Sequence, residues 1–164
     1  MNRRPPRDND VAALRALIQQ FVREFGLLNE SETPCGQPLD TSHAHALMIL
    51  RDANDDGVHQ AVLARQLGID KSNASRLVQQ LAKKGHVKIT TAPNEDARIK
   101  RVRLTAKGAR LAADVEQSSR RRFADLLAAI GPSHRSVVFE GLELLTRALE
   151  RSRPPSRPHE RKRA

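Results

Sequence analysis

From about Asp10 to Asn29, apolar residues recur every third or fourth position, at Val11, Leu14, Ile18, Phe21, Val22, Phe25 and Leu28. That is the spacing of one helix face. At 1.5 Å per residue such a helix is roughly 30 Å long, more than a small domain needs to cover itself, so a partner chain is expected against it. Glu30 to Leu39 contains Pro34, Gly36 and Pro38, which break the pattern and make a loop. A second helix is expected from about Thr41 to Ala53, with Ala46, Leu47, Ile49 and Leu50 inward, before the turn Asn54-Asp55-Asp56-Gly57.

From Val58 to Gly108 the pattern changes twice. Two short helical stretches come first. Val62, Leu63 and Leu67 supply the apolar side of one, and Ala64 is small where a second helix must cross it. Gly68 can take the left-handed conformation that ends a helix. Asp70 then suits the N-cap of the next, with Leu77, Val78 and Leu81 as its core face. This is a helix-turn-helix, whose second helix would read the major groove from its N-terminal residues. Period-two alternation follows at His86-Val87-Lys88-Ile89 and again at Val102-Arg103-Leu104, around the turn-forming Ala92-Pro93-Asn94-Glu95-Asp96. A two-stranded ribbon directly after a recognition helix is a wing.

Helical spacing resumes at Leu111, Val115, Phe123, Leu126, Leu127 and Ile130, with Thr105 as the expected cap and Gly131-Pro132 as the break. Ser133 is expected to cap a last helix to about Arg151, where Val138, Leu142, Leu145 and Leu149 form an apolar stripe too narrow for a helix buried in one monomer.

The pattern Asp96-x-Arg98-x-x-x-Val102-x-Leu104-Thr105-x-x-Gly108 resembles the wing signature of the MarR family of bacterial regulators. The resemblance extends over nearly the whole chain, because long helices flank the winged unit as that family's dimerisation helices do. The expected fold is therefore mostly α, a winged helix-turn-helix with long N- and C-terminal dimerisation helices in the order α-α-α-α-β-β-α-α. One domain is expected over 10–152, with the winged unit at 58–108 and dimerisation helices at 10–30 and 105–152. Disordered segments are expected at 1–9 and, as a basic tail, at 153–164.

Composition sharpens this reading through the placement of charge. The chain carries a net +10, and Val58 to Arg110 holds twelve Lys and Arg against three Asp and Glu. Val11 to Gly57 has three against seven, and Leu111 to Glu150 five against six. Positive charge thus coincides with the reading element, the footprint of a phosphate-binding face. With four Phe and neither Trp nor Tyr, stacking recognition of single strands is poorly supported. There is no apolar run of membrane-spanning length and no secretory signal, and the single Cys35 fits a reducing cytoplasm. The expected location is the bacterial cytoplasm, with the protein on the nucleoid. No Gly-rich phosphate loop, CxxC pair or nucleophile–base set is present, so an enzyme is not expected, nor a cofactor.

Candidate base contacts are Ser72, Asn73, Ser75 and Arg76 on the recognition helix, since Asn can read adenine and Arg guanine bidentately. Lys71, Lys83 and Lys84 suit phosphates, which position without specifying sequence. Lys100 and Arg101 point to opposite strand faces, so one of them should face DNA; Lys100 is the candidate. The resemblance implies that Arg98 reaches the minor groove from the wing, with Asp96 orienting it. Its competitor is a simple surface ion pair.

The loop from Thr33 to Leu39, with Cys35 and the nearby His43 and His45, lies where the family commonly places its effector pocket. A small organic effector touching these residues is the expectation carried forward. A peroxide-sensing Cys35 competes with it, although such relatives set the cysteine beside tyrosines. A zinc site from Cys35, His43, His45, Glu30 and Glu32 competes as well, as does a rigid loop with no ligand at all. The expected function is a homodimeric, sequence-specific duplex-DNA-binding regulator, a repressor in most of the family, acting on an inverted repeat. A DNA-architectural protein of low sequence preference and an adaptor for protein contacts are the alternatives.

Overall fold

In the computed structural model, residues 7–29, 32–53, 57–91 and 100–152 are described. The chain divides into two compact units, Met1–Ser119 and Arg120–Ala164. Helix α1 spans Asp8–Phe25, α2 Thr41–Arg51, α3 Gln60–Leu67 and α4 Lys71–Lys83; α5 runs Ala106–Ala129 and α6 Arg135–Ser152. Strands β1 (Val58–His59), β2 (Val87–Thr90) and β3 (Arg101–Leu104) form one antiparallel sheet in the order β1-β3-β2. Among the described residues no helix is long and apolar enough to cross a membrane.

The expected elements are present, with four corrections. The first helix stops at Phe25, because Gly26 takes φ +82° and its N–H bonds back to Arg23. The wing ribbon has a third strand. Val58 pairs with Val102 and His59 with Arg101, so the stretch entering α3 is extended and tied to the wing. Ser133 does not cap the last helix; it lies inside a 3-10 turn, Pro132–His134, that precedes α6. Ile49 is only half-buried, at the edge of the core.

The core of the first unit is made by α2, α3, α4, the sheet and the first half of α5. Leu47, Leu63, Leu81, Val78, Val102 and Val115 are its largest fully buried side chains. Each such burial contributes about 1.5–3 kcal/mol. Leu77, Val78 and Leu81 face inward as their spacing predicts, which leaves the opposite side of α4 polar and outward. Helices α1 and α6 contain no buried residue. Their apolar positions stand open instead, with Leu17 64% and Phe21 49% exposed on α1, and Leu142 52% and Leu149 61% exposed on α6.

Candidate nucleic-acid interface

The recognition helix is fixed at its start by the residue expected to do so. Asp70 Oδ1 accepts from the Asn73 backbone N–H at 2.8 Å, a side-chain N-cap on the first turn. Asp70 Oδ2 also accepts from the Asn73 side-chain amide at 2.7 Å. Asn73 is therefore exposed but engaged, and bidentate reading of adenine would require that bond to open. Ser72 and Arg76 are exposed one turn apart, with Arg76 Nη2 3.5 Å from Ser72 Oγ. Lys71, Lys83 and Lys84 are exposed as well, while Ser75 is half-buried.

Ser75 is half-buried because it lines a cleft. A cleft of about 590 Å³ opens between the start of α3, the start of α4 and the foot of the wing, lined by His59, Gln60, Ala61, Val62, Lys71, Ser75 and Lys100. The fold thus brings Lys71 and Ser75 of α4 and the sequence-distant Lys100 to one concavity. Gln60 N–H donates to the Lys100 carbonyl at 2.9 Å, which ties the wing's base to α3. His59 and Gln60 are additions that sequence reasoning missed. The signal was Val58-His59, extended residues ahead of a helix that the apolar spacing alone does not separate from it. Asp96 and Arg98 lie outside the described residues.

Behind this face one threonine joins the wing to α5. Thr105 Oγ1 donates to the Gly85 carbonyl at 2.7 Å and accepts from Gly108 N–H at 3.0 Å, capping α5 as expected. Gly108 is required for a different reason than flexibility. A Cβ there would stand 1.8 Å from the His86 carbonyl oxygen. The wing signature's last glycine is the point where α5 crosses the end of the recognition helix.

A sequence model of the MarR family matches residues 37–99, from the end of the Thr33–Leu39 loop through the helix-turn-helix. The chain is also 27% identical over 137 residues, 84% of its length and 83% of the relative's, to the HTH-type transcriptional regulator YfiV of Bacillus subtilis (strain 168). Over residues 37–99 the chain carries the sequence pattern of the MarR family. That family is one of DNA-binding transcriptional regulators rather than enzymes. Among solved structures, the PcaV regulator of Streptomyces coelicolor with its natural ligand matches with TM-score 0.64 at 20% identity, over 90% of this chain and 99% of that one. MepR of S. aureus in complex with DNA matches with TM-score 0.64 at 18% identity, over 85% of this chain and 97% of that one. These two likenesses concern the winged-helix fold.

Within this chain the expected effector residues separate. His43 is buried, 5% exposed, while His45 is exposed on the other side of α2. Cys35 is half-buried inside a tight turn, where Thr33 N–H donates to the Gln37 carbonyl at 2.8 Å and Gln37 N–H to Thr33 Oγ1 at 2.9 Å. Thr33 Oγ1 is 3.1 Å from the Cys35 sulfur. Gln37 Nε2 donates to Ser118 Oγ at 2.6 Å, so the turn is latched to α5. Among the described residues no three His, Cys, Asp or Glu side chains converge as a metal site would need. The competing zinc set of Cys35, His43, His45 and Glu32 is not formed among the described residues, and Glu30 lies outside them.

Proposed function

We propose that the protein is a homodimeric repressor that binds an inverted repeat of duplex DNA and is modulated by a small effector. The observation that carries this reading is the cleft shared by Lys71, Ser75 and Lys100 beside the exposed Ser72 and Arg76. One surface then offers phosphate-holding ammonium groups and base-reading side chains together. Lys83, Asp96 and Arg98 complete the proposed face, with Arg98 entering the minor groove under the orientation of Asp96. Dimerisation is supported by the open apolar faces of α1 and α6, since apolar patches of that kind mark interfaces. The proposed dimer takes residues 10–152 as one domain, doubled through these helices. Effector control is supported by the Gln37–Ser118 latch, because a ligand that reshapes the Cys35 turn also loads α5. With His43 closed in, direct ligand contact falls to Cys35 and His45, and His43 would respond through α2.

The test is selection of bound fragments from the genomic DNA of the source, followed by affinity measurement on the recovered duplex across a salt series. Half-sites about one helical turn apart are expected. The affinity should fall with salt at a log–log slope of about −0.9 per neutralised phosphate. Arg98→Ala should weaken binding at least about tenfold, a loss of about 1.4 kcal/mol, without moving the thermal midpoint. Arg76→Ala should relax base preference more than total affinity. An affinity that ignores sequence would instead assign the chain an architectural role.

A further inference from the structure

A second cleft opens between the end of α2, the wing sheet and the start of α5. Its volume is about 490 Å³, within the range of small-molecule sites. Three cationic side chains from three elements reach it: Arg51 of α2, Lys88 of β2 and Arg103 of β3. Lys88 and Arg103 are register partners across the ladder, so their side chains stand side by side on one face of the sheet. Val87 and Leu104 form the next pair and point to the other face, where Val87 is buried. Among the described residues no carboxylate lines the cleft.

Two of the cations are held in place. Arg103 lies across Gly57, where a Cβ would stand 2.5 Å from Arg103 Cγ and 2.8 Å from the Val102 carbonyl oxygen. Gly57 has φ +74°, so this close approach depends on a residue without a side chain. Arg51 is fixed by Asp52 at 3.0 Å and by Glu116 at 3.4 Å. A guanidinium carries five N–H donors. The two carboxylates engage Nε, Nη1 and Nη2, which leaves a second N–H on each terminal nitrogen. Much of the remaining wall is apolar, from Leu50, Ala53, Leu104, Ala106 and Ala109. Ala106 and Ala109 belong to the first turn of α5, whose positive end adds to the field of the cations.

We infer that this cleft binds a small organic carboxylate, with its oxygens on Lys88 and Arg103 and its hydrocarbon part against Leu50, Ala53 and Ala109. A bare oxyanion would satisfy the cations and leave the apolar wall in water. A neutral apolar molecule would cover the wall and desolvate the cations without a counter-charge. An acid with a ring or a branched chain answers both. The site is separate from the Cys35 turn, since Thr33, Cys35, His43 and His45 are not among its lining residues. The bound acid touches α2, the sheet and α5 at once, so occupancy ties the wing to the first turn of α5. That tie changes duplex affinity to the extent that the acid distinguishes the DNA-bound form from the free one. This consequence rests on the function proposed above, whereas the binding of the acid does not.

The experiment uses the full chain, with benzoate as the probe and benzamide and inorganic phosphate beside it. Calorimetric titration at fixed ionic strength should give saturable benzoate binding with a Kd of about 1 mM or below. Benzamide and phosphate should each bind at least about tenfold more weakly, since each lacks one half of the match. Lys88→Gln removes a charge from an exposed strand position, and Ala109→Leu fills the cleft from an exposed helix position, so both should fold as the wild type does. Each should weaken benzoate at least about fivefold, the first by loss of a charged donor and the second by occupation. In amide NMR spectra benzoate should move Lys88, Arg103 and Ala109 before the residues of the Cys35 turn. Affinity for a duplex recovered by the genomic selection should change at least about fivefold when benzoate saturates the wild type, and not in Ala109→Leu. Benzoate that does not bind, that binds no tighter than benzamide or phosphate, or that binds both variants as it binds the wild type overturns the proposal. So does a Lys88→Gln protein whose duplex affinity without acid falls as far as its benzoate affinity, because the cleft would then hold a backbone phosphate of DNA. If benzoate binds as expected and the duplex does not respond, the tie to the wing is overturned. If no duplex binds under any condition, the DNA-binding reading fails by itself, and the calorimetry still judges the cleft.

Discussion

Replacing Gly108 with alanine adds one methyl group where the structure leaves none free. The new Cβ would lie 1.8 Å from the His86 carbonyl oxygen, whereas ordinary contact begins near 3.4 Å. One side must therefore give by about 1.6 Å, and neither is a flexible side chain. The obstacle is backbone, and it is bonded to Thr105 N–H at 3.0 Å. Overpacking of this kind costs about 1–3 kcal/mol, more where the neighbour is rigid. Displacing the first turn of α5 also loosens the Thr105 cap, worth about 1 kcal/mol. Alanine's better helix propensity returns about 1 kcal/mol. The net expectation is a loss of about 1–3 kcal/mol, which at this chain length lowers the thermal midpoint by about 2–12 °C. The assay is thermal unfolding by circular dichroism at one fixed protein concentration, since association would make the midpoint concentration-dependent. Gly131→Ala is the control. Its Cβ would meet only His134 Nδ1, at 3.6 Å, in ordinary contact, so a change within about 0.5 kcal/mol is expected. A Gly108→Ala protein that melts with the wild type or above it would refute the reasoning, because helix propensity alone would then govern the site.

Two further predictions concern the reading helix and the apolar faces. Asp70→Ala should remove the cap on Asn73 N–H, costing about 1 kcal/mol of stability, and should release the Asn73 carboxamide held at 2.7 Å. If Asn73 reads a base, preference at that base should then change in a repeat selection; an unchanged preference assigns Asn73 to capping alone. Phe21→Glu, placed on the exposed face of α1 where Phe21 stacks on Phe25 at 5.2 Å, should convert a dimer to a monomer at micromolar concentration in sedimentation. Retention of the dimer would move the interface off α1.

Much of this fold was legible because its elements are long and strongly periodic. Leu77, Val78 and Leu81 declare the buried side of α4, and Asp70 declares its start, without any tertiary information. Thr105 as a cap was legible for the same local reason. What escaped was non-local. Val58-His59 is too short to show a strand period, and it becomes a strand only because Val102 and Arg101 lie alongside. The cleft escaped in the same way, since Gln60 meets Lys100 across thirty-nine intervening positions of chain. Position on a helix turn also separated His43 from His45, which are two residues apart and so face different directions. The sequence reading placed them together; the structure buries one and exposes the other. Gly26 was legible in principle as a C-cap, but Leu27 and Leu28 prolonged the apolar pattern past it.

The first unit has a mechanical logic that no single element displays. The first stretch of α5, up to Ser119, is bonded to the Cys35 turn, to α2 and, through its cap, to the end of α4. Thr105 fastens it to the end of the recognition helix through the Gly85 carbonyl, and Gly108 removes the clearance that would let the two slide. Arg51 of α2 reaches Glu116 of α5 at 3.4 Å, and Asp52, then Glu116, hold its guanidinium in the charged form. Gln37 fastens the Cys35 turn to Ser118 at 2.6 Å. Three attachments spaced along one helix leave little room for the turn, α2 and the recognition helix to respond separately. A perturbation at the turn is then carried to the reading face as a displacement of α5. It changes affinity only to the extent that a ligand distinguishes the displaced state from the resting one. By this logic the sensitive joints are Gln37, Arg51 and Thr105. A substitution at any of them should alter the coupling between effector and DNA before it alters either binding event alone.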